Sequence, residues 1–207
     1  MNYLRSLIAN FRHLASIRTP GQTNAGMTLP VLPTDEDPRL QKDIRWQWIP
    51  EGRDGTIATL RVMANLARTA GADRDFRRFA EQFTTWQDLL DWVRLHFIYR
   101  DEVQEVVRAP QRMLADMGSL DGTGRQMRLE GDCDDIATFL AAVLKIIGYR
   151  ARLVAIRANA ASLEFDHVFA QAFAIWNLSD SGQWVTLDPT VQPGTTMTVL
   201  DELIESV

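Results

Sequence analysis

The sequence has one cysteine, three histidines and three tyrosines in 207 residues. A single thiol excludes an internal disulfide framework, so the fold holds without one. Nowhere do about 18 or more apolar residues run together, which excludes a transmembrane helix. Basic charge is also short: 22 lysines and arginines stand against 27 aspartates and glutamates, a formal net charge of −5. That balance sets nucleic acid aside as the main partner, because phosphate binding needs a basic surface. The first twenty residues lack a long apolar core and a small-residue cleavage site and make a poor signal peptide. Retention in the cytoplasm, or packing into a particle assembled there, is the expectation.

The length suits one ordinary domain with an appended segment, and the composition is that of a globular protein. Leu4, Leu7, Ile8, Phe11, Leu14 and Ile17 follow the three-and-four spacing of an amphipathic helix over residues 1–18. Three dispositions remain open for it: against its own core, against a protein partner, or on a membrane surface. Residues 19–45 contain Pro20, Pro30, Pro33 and Pro38 and are expected to form an extended arm or linker. A helix followed by such an arm is a common tether to an assembly, so a protein partner is expected and a membrane is not.

The compact domain is expected over residues 46–207. Its first half reads as helices. Gly71 stops one, Phe76, Phe79 and Phe83 lie on one face of the next, and a third begins at Thr85 with Asp88 three residues on, as in a capping box, and runs to Tyr99. A short helix follows Pro110, then the polar loop "GSLDGTGRQMRLEG". The apolar helix "CDDIATFLAAVLKIIG" comes next and ends at Gly148. Three strand-like runs follow, "YRARLVAIRA", "HVFAQAFAIW" and "QWVTLDPT", the last two joined through a "SDSG" turn. "TVLDELIESV" reads as a terminal helix. Helices first and an antiparallel sheet afterwards make an α+β fold.

The one thiol, Cys133, sits in "EGDCDDI", among three aspartates at the start of an apolar helix. With Asp132 as N-cap, Asp134 and Asp135 fall in the first turn, where carboxylates meet unpaired N–H groups and the positive helix end. That accounts for the acids but not for the thiol. A helix N-terminus favours thiolate, neighbouring carboxylates oppose it, and an imidazole is needed to settle the matter. A structural cysteine packed in a core is the plain alternative. A cation site made of Asp132, Asp134 and Asp135 has no second ligand cluster to support it, so no metal is expected.

Of the three histidines, His13 lies in the N-terminal helix and His96 within a helix beside Trp92. His167 opens a strand, next to a loop, where catalytic bases commonly sit. Asp188 ends the following strand before Pro189. Antiparallel pairing of these strands brings Asp188 to His167, in a nucleophile–base–orienter order of Cys, His and Asp.

The blocks "GDCDDIATFLAAVLKIIGYRARLVAI", "FDHVFAQAF" and "WVTLDPT" resemble the transglutaminase-like cysteine peptidase superfamily, from about residue 54 to residue 190. The upstream block "FIYRDEVQEVVRAPQRML" is similar to the version found in bacteriophage and prophage proteins. The resemblance implies a papain-like fold and no cofactor. It makes Cys133 the nucleophile, His167 the general base and acid, and Asp188 the residue that holds the imidazole. The Cys133 backbone N–H would be one oxyanion donor, with Gln104 and Tyr99 as candidates for the second or for positioning substrate. The implied substrates are peptide, isopeptide or peptidoglycan amide bonds. Two other uses of the fold stay open: a structural adaptor of a phage tail or neck without turnover, and a latent enzyme whose groove is covered by the arm.

Overall fold

The computed structural model describes residues 52–100, 106–118, 128–161, 164–175, 182–192, 195 and 197–207. The N-terminal helix and arm, Trp46, Gln104 and most of the "SDSG" turn lie outside these residues. Among the described residues no helix is long and apolar enough to cross a membrane.

Helix α1 (Gly52–Ala70) buries Leu60, Met63, Ala64 and Ala67, the one-sided spacing of a helix laid on a core. Helix α2 (Arg74–Ala80) starts at the Asp73 cap, whose side chain accepts from the N–H groups of Asp75 and Phe76. The helix is shorter than its phenylalanine spacing suggests. Phe83 lies beyond its end, yet its ring still meets Phe79 at 5.3 Å.

Helix α3 (Trp86–His96) has the expected reciprocal cap: the Asp88 N–H donates to Thr85 Oγ1 at 3.1 Å, and that hydroxyl donates to the Asp88 carboxylate at 2.6 Å. It does not reach Tyr99. Phe97–Tyr99 form strand β1, which pairs in parallel with β2 (Leu129–Gly131) at the end of the polar loop. The aromatic and β-branched tripeptide Phe-Ile-Tyr suits a strand, and a partner distant in sequence supplies its hydrogen bonds. Between them runs α4 (Pro110–Gly118), with proline at its first position, where a missing N–H costs nothing.

Helix α5 (Cys133–Ile146) is buried on every side from Cys133 to Leu144 and is the axis of the domain. Phe76 meets Phe139 edge-on at 5.5 Å, so α2 closes over one flank. Beyond the Ile147 cap, Gly148 takes φ +91°, and the Tyr149 N–H donates back to the Leu144 carbonyl at 2.9 Å. This tight exit turns the chain straight into β3 (Ala151–Arg157).

The main sheet has the order β5-β4-β3-β6 and is antiparallel throughout, with β4 spanning His167–Ala174, β5 Gln183–Leu187 and β6 Asp201–Ser206. Ala151, Leu153, Ala155, Val168, Ala170, Ala172 and Leu187 join the core that contains α5. Val154, Ile156 and Phe169 point the other way, under Ala158 and Met197.

Strand β6 corrects the expected terminal helix. Its residues alternate between half-buried and exposed, and Leu203 and Val207 reach the main core. An isolated helix of ten residues is marginal in water, whereas the open edge of β3 offers a row of backbone hydrogen bonds. Arg53–Asp201 at 2.8 Å and Arg68–Glu205 at 3.3 Å tie β6 to α1. Such partly exposed pairs are each worth about 0–1 kcal/mol, so register and burial carry the strand.

Candidate active site

The start of α5 is built as a cluster of acids closed by one arginine. Asp132 is the N-cap in extended conformation and Cys133 is the first helical residue. The Asp135 N–H donates to Asp134 Oδ1 at 2.8 Å and, at the longer 3.4 Å, to Asp132 Oδ1. Oxygens from the three carboxylates come within 4.8 Å of one another, and all three residues are buried.

Asp135 has no solvent exposure and accepts from Arg108 three times: from its backbone N–H at 2.7 Å, Nε at 2.8 Å and Nη2 at 2.5 Å. Burial nevertheless pushes the Asp135 carboxyl up to about 6, against the pull of Arg108 and with the help of the Asp132 charge. Gly131 makes the pair possible: a Cβ there would lie 2.6 Å from Asp135 Oδ2 and 3.0 Å from Arg108 Nη2. The acids therefore belong to the helix start and to an ion pair pinning the segment before α4 against it. Arg108 and Gly131 went unassigned in the sequence reading, although both lie within the motifs that carry the resemblance.

His167 and Asp188 come together as expected. Nε2 of His167 lies 2.5 Å from Asp188 Oδ2, with both side chains buried. Asp188 Oδ1 accepts from the Thr190 N–H at 2.9 Å and its hydroxyl at 2.6 Å. Burial alone would raise the Asp188 carboxyl, but the His167 contact and the two bonds from Thr190 outweigh it and hold the carboxyl below its ordinary range. An ionised carboxylate only accepts, so Nε2 carries a proton, and in the neutral imidazole it is Nδ1 that holds the lone pair. That Nδ1 is buried and, among the described residues, has no hydrogen-bond partner.

Topology brings Cys133 to the same end of the domain. The 14 residues of α5 rise about 21 Å, and the seven of β3 return about 23 Å after the tight Gly148 turn. The C-terminal end of β3 is thus level with the N-terminus of α5. His167 pairs with Ile156 at that end of β3, and Cys133 is only 7% exposed.

Tyr99 ends β1 opposite Gly131, two residues before Cys133, so the parallel strand pair sets it beside the helix start. Gln104 and His13 fall outside the described residues. His96 is structural: its ring stacks on Trp92 at 4.4 Å and Nδ1 contacts the Trp92 carbonyl at 2.7 Å.

Residues 77–189, more than half of the chain, match the model of the transglutaminase-like superfamily. The chain belongs to the transglutaminase-like superfamily. Members of this superfamily typically perform cysteine-dependent acyl transfer or peptide hydrolysis. Among solved structures, a Parabacteroides distasonis protein provisionally assigned as a protease is similar at 13% identity and a TM-score of 0.40. The match covers 63% of this chain and 27% of that one. No curated protein matches the sequence.

Proposed function

We propose that this transglutaminase-like chain is a cysteine-dependent acyl-transfer enzyme acting on peptide, isopeptide or peptidoglycan amide bonds. The reading rests chiefly on the His167 imidazole, fixed at Nε2 by a buried aspartate and without a partner at Nδ1 among the described residues, at the end of the domain where the chain's one thiol starts a helix. Nδ1 takes the Cys133 proton, and the thiolate adds to the amide carbonyl. The Cys133 backbone N–H, in the first helical turn where N–H groups point away from the helix, stabilises the oxyanion. The C–N bond then breaks as His167 returns the proton to the leaving amine, leaving a thioester. Water, deprotonated by His167, adds to the thioester and releases a carboxylate while the thiol is restored. An amine in place of water would give transfer rather than hydrolysis. Asp188 holds the imidazole in the reactive tautomer and stabilises its cation. Tyr99 and Gln104 are the candidates for positioning substrate. Attachment to a phage particle or other assembly rests on the sequence of residues 1–45.

The test is the rate of Cys133 alkylation by iodoacetamide from pH 4 to 10, followed by intact mass. Wild type is expected to react well below pH 8, and His167→Ala to lose that limb. An ordinary thiol profile, unchanged by the substitution, would overturn the reading.

A further inference from the structure

The sheet face that carries His167 and Asp188 continues into a surface that the proposed reaction does not use. Strand register sets its side chains in rungs. His167 lies opposite Ile156 and Phe169 opposite Val154; then come Arg152–Gln171–Thr186 and, last, Phe173–Trp184. Arg150 joins the last rung through its carbonyl, which accepts from the Phe173 N–H at 2.9 Å. The apolar rungs nearest the dyad lie under Ala158 and Met197. The two distal rungs are half-buried or exposed.

These distal rungs are highly ordered by their own contacts. Trp184 and Phe173 meet edge to face at 5.3 Å. The Arg152 guanidinium lies 4.2 Å from the Trp184 ring centre, and that of Arg150 lies 4.7 Å from Phe173 and 5.7 Å from Trp184. Arg152 Nε donates to Gln171 Oε1 at 2.7 Å, and Gln171 Nε2 donates to Thr186 Oγ1 at 3.0 Å. Two guanidinium groups thus share one indole. Glu202 on β6 acts on Arg152 through space, but among the described residues neither arginine forms an ion pair with a carboxylate. Like charges gathered on an aromatic pair, in a chain of net charge −5, are a poor arrangement for stability alone and a good one for an anionic ligand. Guanidinium forks match carboxylates geometrically, and the half-buried rings suit the apolar parts of a peptide.

We propose that this basic–aromatic platform is an exosite that holds an acidic segment of the substrate, with peptide carboxylates paired to Arg150 and Arg152. The inference rests on the acyl-transfer reading above for the word substrate, and on the platform itself for the binding. Four to six strand residues separate the platform from the dyad, about 13–20 Å, so the acidic positions lie roughly four to six extended residues from the reacting bond.

The probe is a fluorescein-labelled octapeptide, Ala-Glu-Ala-Glu-Ala-Glu-Ala-Ala, against its glutamine counterpart, read by anisotropy on the full chain carrying Cys133→Ala. The acidic peptide is expected to bind saturably, at least about tenfold more tightly than the glutamine peptide, and more weakly as salt rises. Arg150→Gln, at an exposed position, and Arg152→Lys, which keeps the charge but loses the planar fork, should each weaken it several-fold while melting curves show the protein still folded at the assay temperature. Equal binding of both peptides, no binding, or insensitivity to these substitutions would refute the exosite. So would a dT oligonucleotide that displaces the peptide at lower concentration, which would mean a general polyanion surface. Binding that emerges only with Asp35→Asn, Glu36→Gln and Asp37→Asn together would assign the surface to the chain's own arm and equally refute the proposal. Because binding is read without the thiol, an unreactive Cys133 with binding intact would remove the enzymatic reading alone.

Discussion

Replacing Arg108 by methionine should destabilise the protein in a pH-dependent way, because among the described residues it leaves a carboxylate with no solvent exposure facing a single backbone N–H. In the native chain the Asp135 carboxyl already stands at about 6 against an ordinary 3.8. Two units correspond to about 3 kcal/mol by which the folded environment disfavours the ionised form. Burial therefore costs more than Arg108 returns, as is common for buried ion pairs. The sign follows from proton counting. Between the unfolded and folded values the native state binds the extra proton, so this group's contribution to stability falls as pH rises from about 4 through 6. Without the guanidinium the carboxyl rises further, and the falling limb extends past neutrality. The expected loss at pH 8 is about 3–5 kcal/mol, the usual cost of orphaning one member of a buried pair. For a chain of this length that is a drop of roughly 6–20 °C in melting temperature. At pH 5, where Asp135 is largely protonated with or without its partner, most of the electrostatic deficit should vanish. Melting curves of wild type and Arg108→Met at pH 5 and pH 8 read this directly, and Arg108→Met/Asp135→Asn should recover much of the loss at pH 8. An equal deficit at both pH values would refute the argument and reduce Arg108 to a packing residue.

Asp188→Asn keeps an acceptor at Nε2 but loses the charge, and should slow Cys133 alkylation at pH 6 by roughly a hundredfold or more, on the scale of losing a triad's orienting carboxylate. Because the Asp188 carboxyl is held below its ordinary range, its contribution to stability is present above about pH 4 and lost as pH falls through the lowered value. Acid unfolding of Asp188→Asn should lack that component, and a curve parallel to wild type would contradict it. Gly131→Ala drives a methyl into Asp135 and Arg108 and should cost about 1–3 kcal/mol, measured by denaturant midpoint. Leu140→Ala, at a wholly buried position on α5, should cost about 3–5 kcal/mol by the same measurement while leaving the pH profile of alkylation unchanged in form.

Local rules sufficed where a residue's role is set by its near neighbours in the chain. The caps at Thr85 and Asp132 and the glycine exit at Gly148 are decided within a few residues, so they could be read directly. The approach of Asp188 to His167 was also legible, because two adjacent strands with an intervening turn leave little choice but antiparallel pairing. The terminal segment "TVLDELIESV" was not. Its local spacing suits a helix, and only the vacant edge of β3, a partner some fifty residues earlier, makes it a strand. The same holds for Phe97–Tyr99, which needed β2 across the polar loop to become β1.

The sequence alone set the α+β order of elements, the family, and the approach of Asp188 to His167. Tertiary structure decided that Asp135 answers to Arg108, that Gly131 must lack a side chain, and that the dyad's sheet face runs on to Arg150 and Arg152. The physical reason is range. Capping, turn chemistry and periodicity act over a few residues, whereas burial, register and ion pairing join groups whose separation along the chain says nothing of their separation in space.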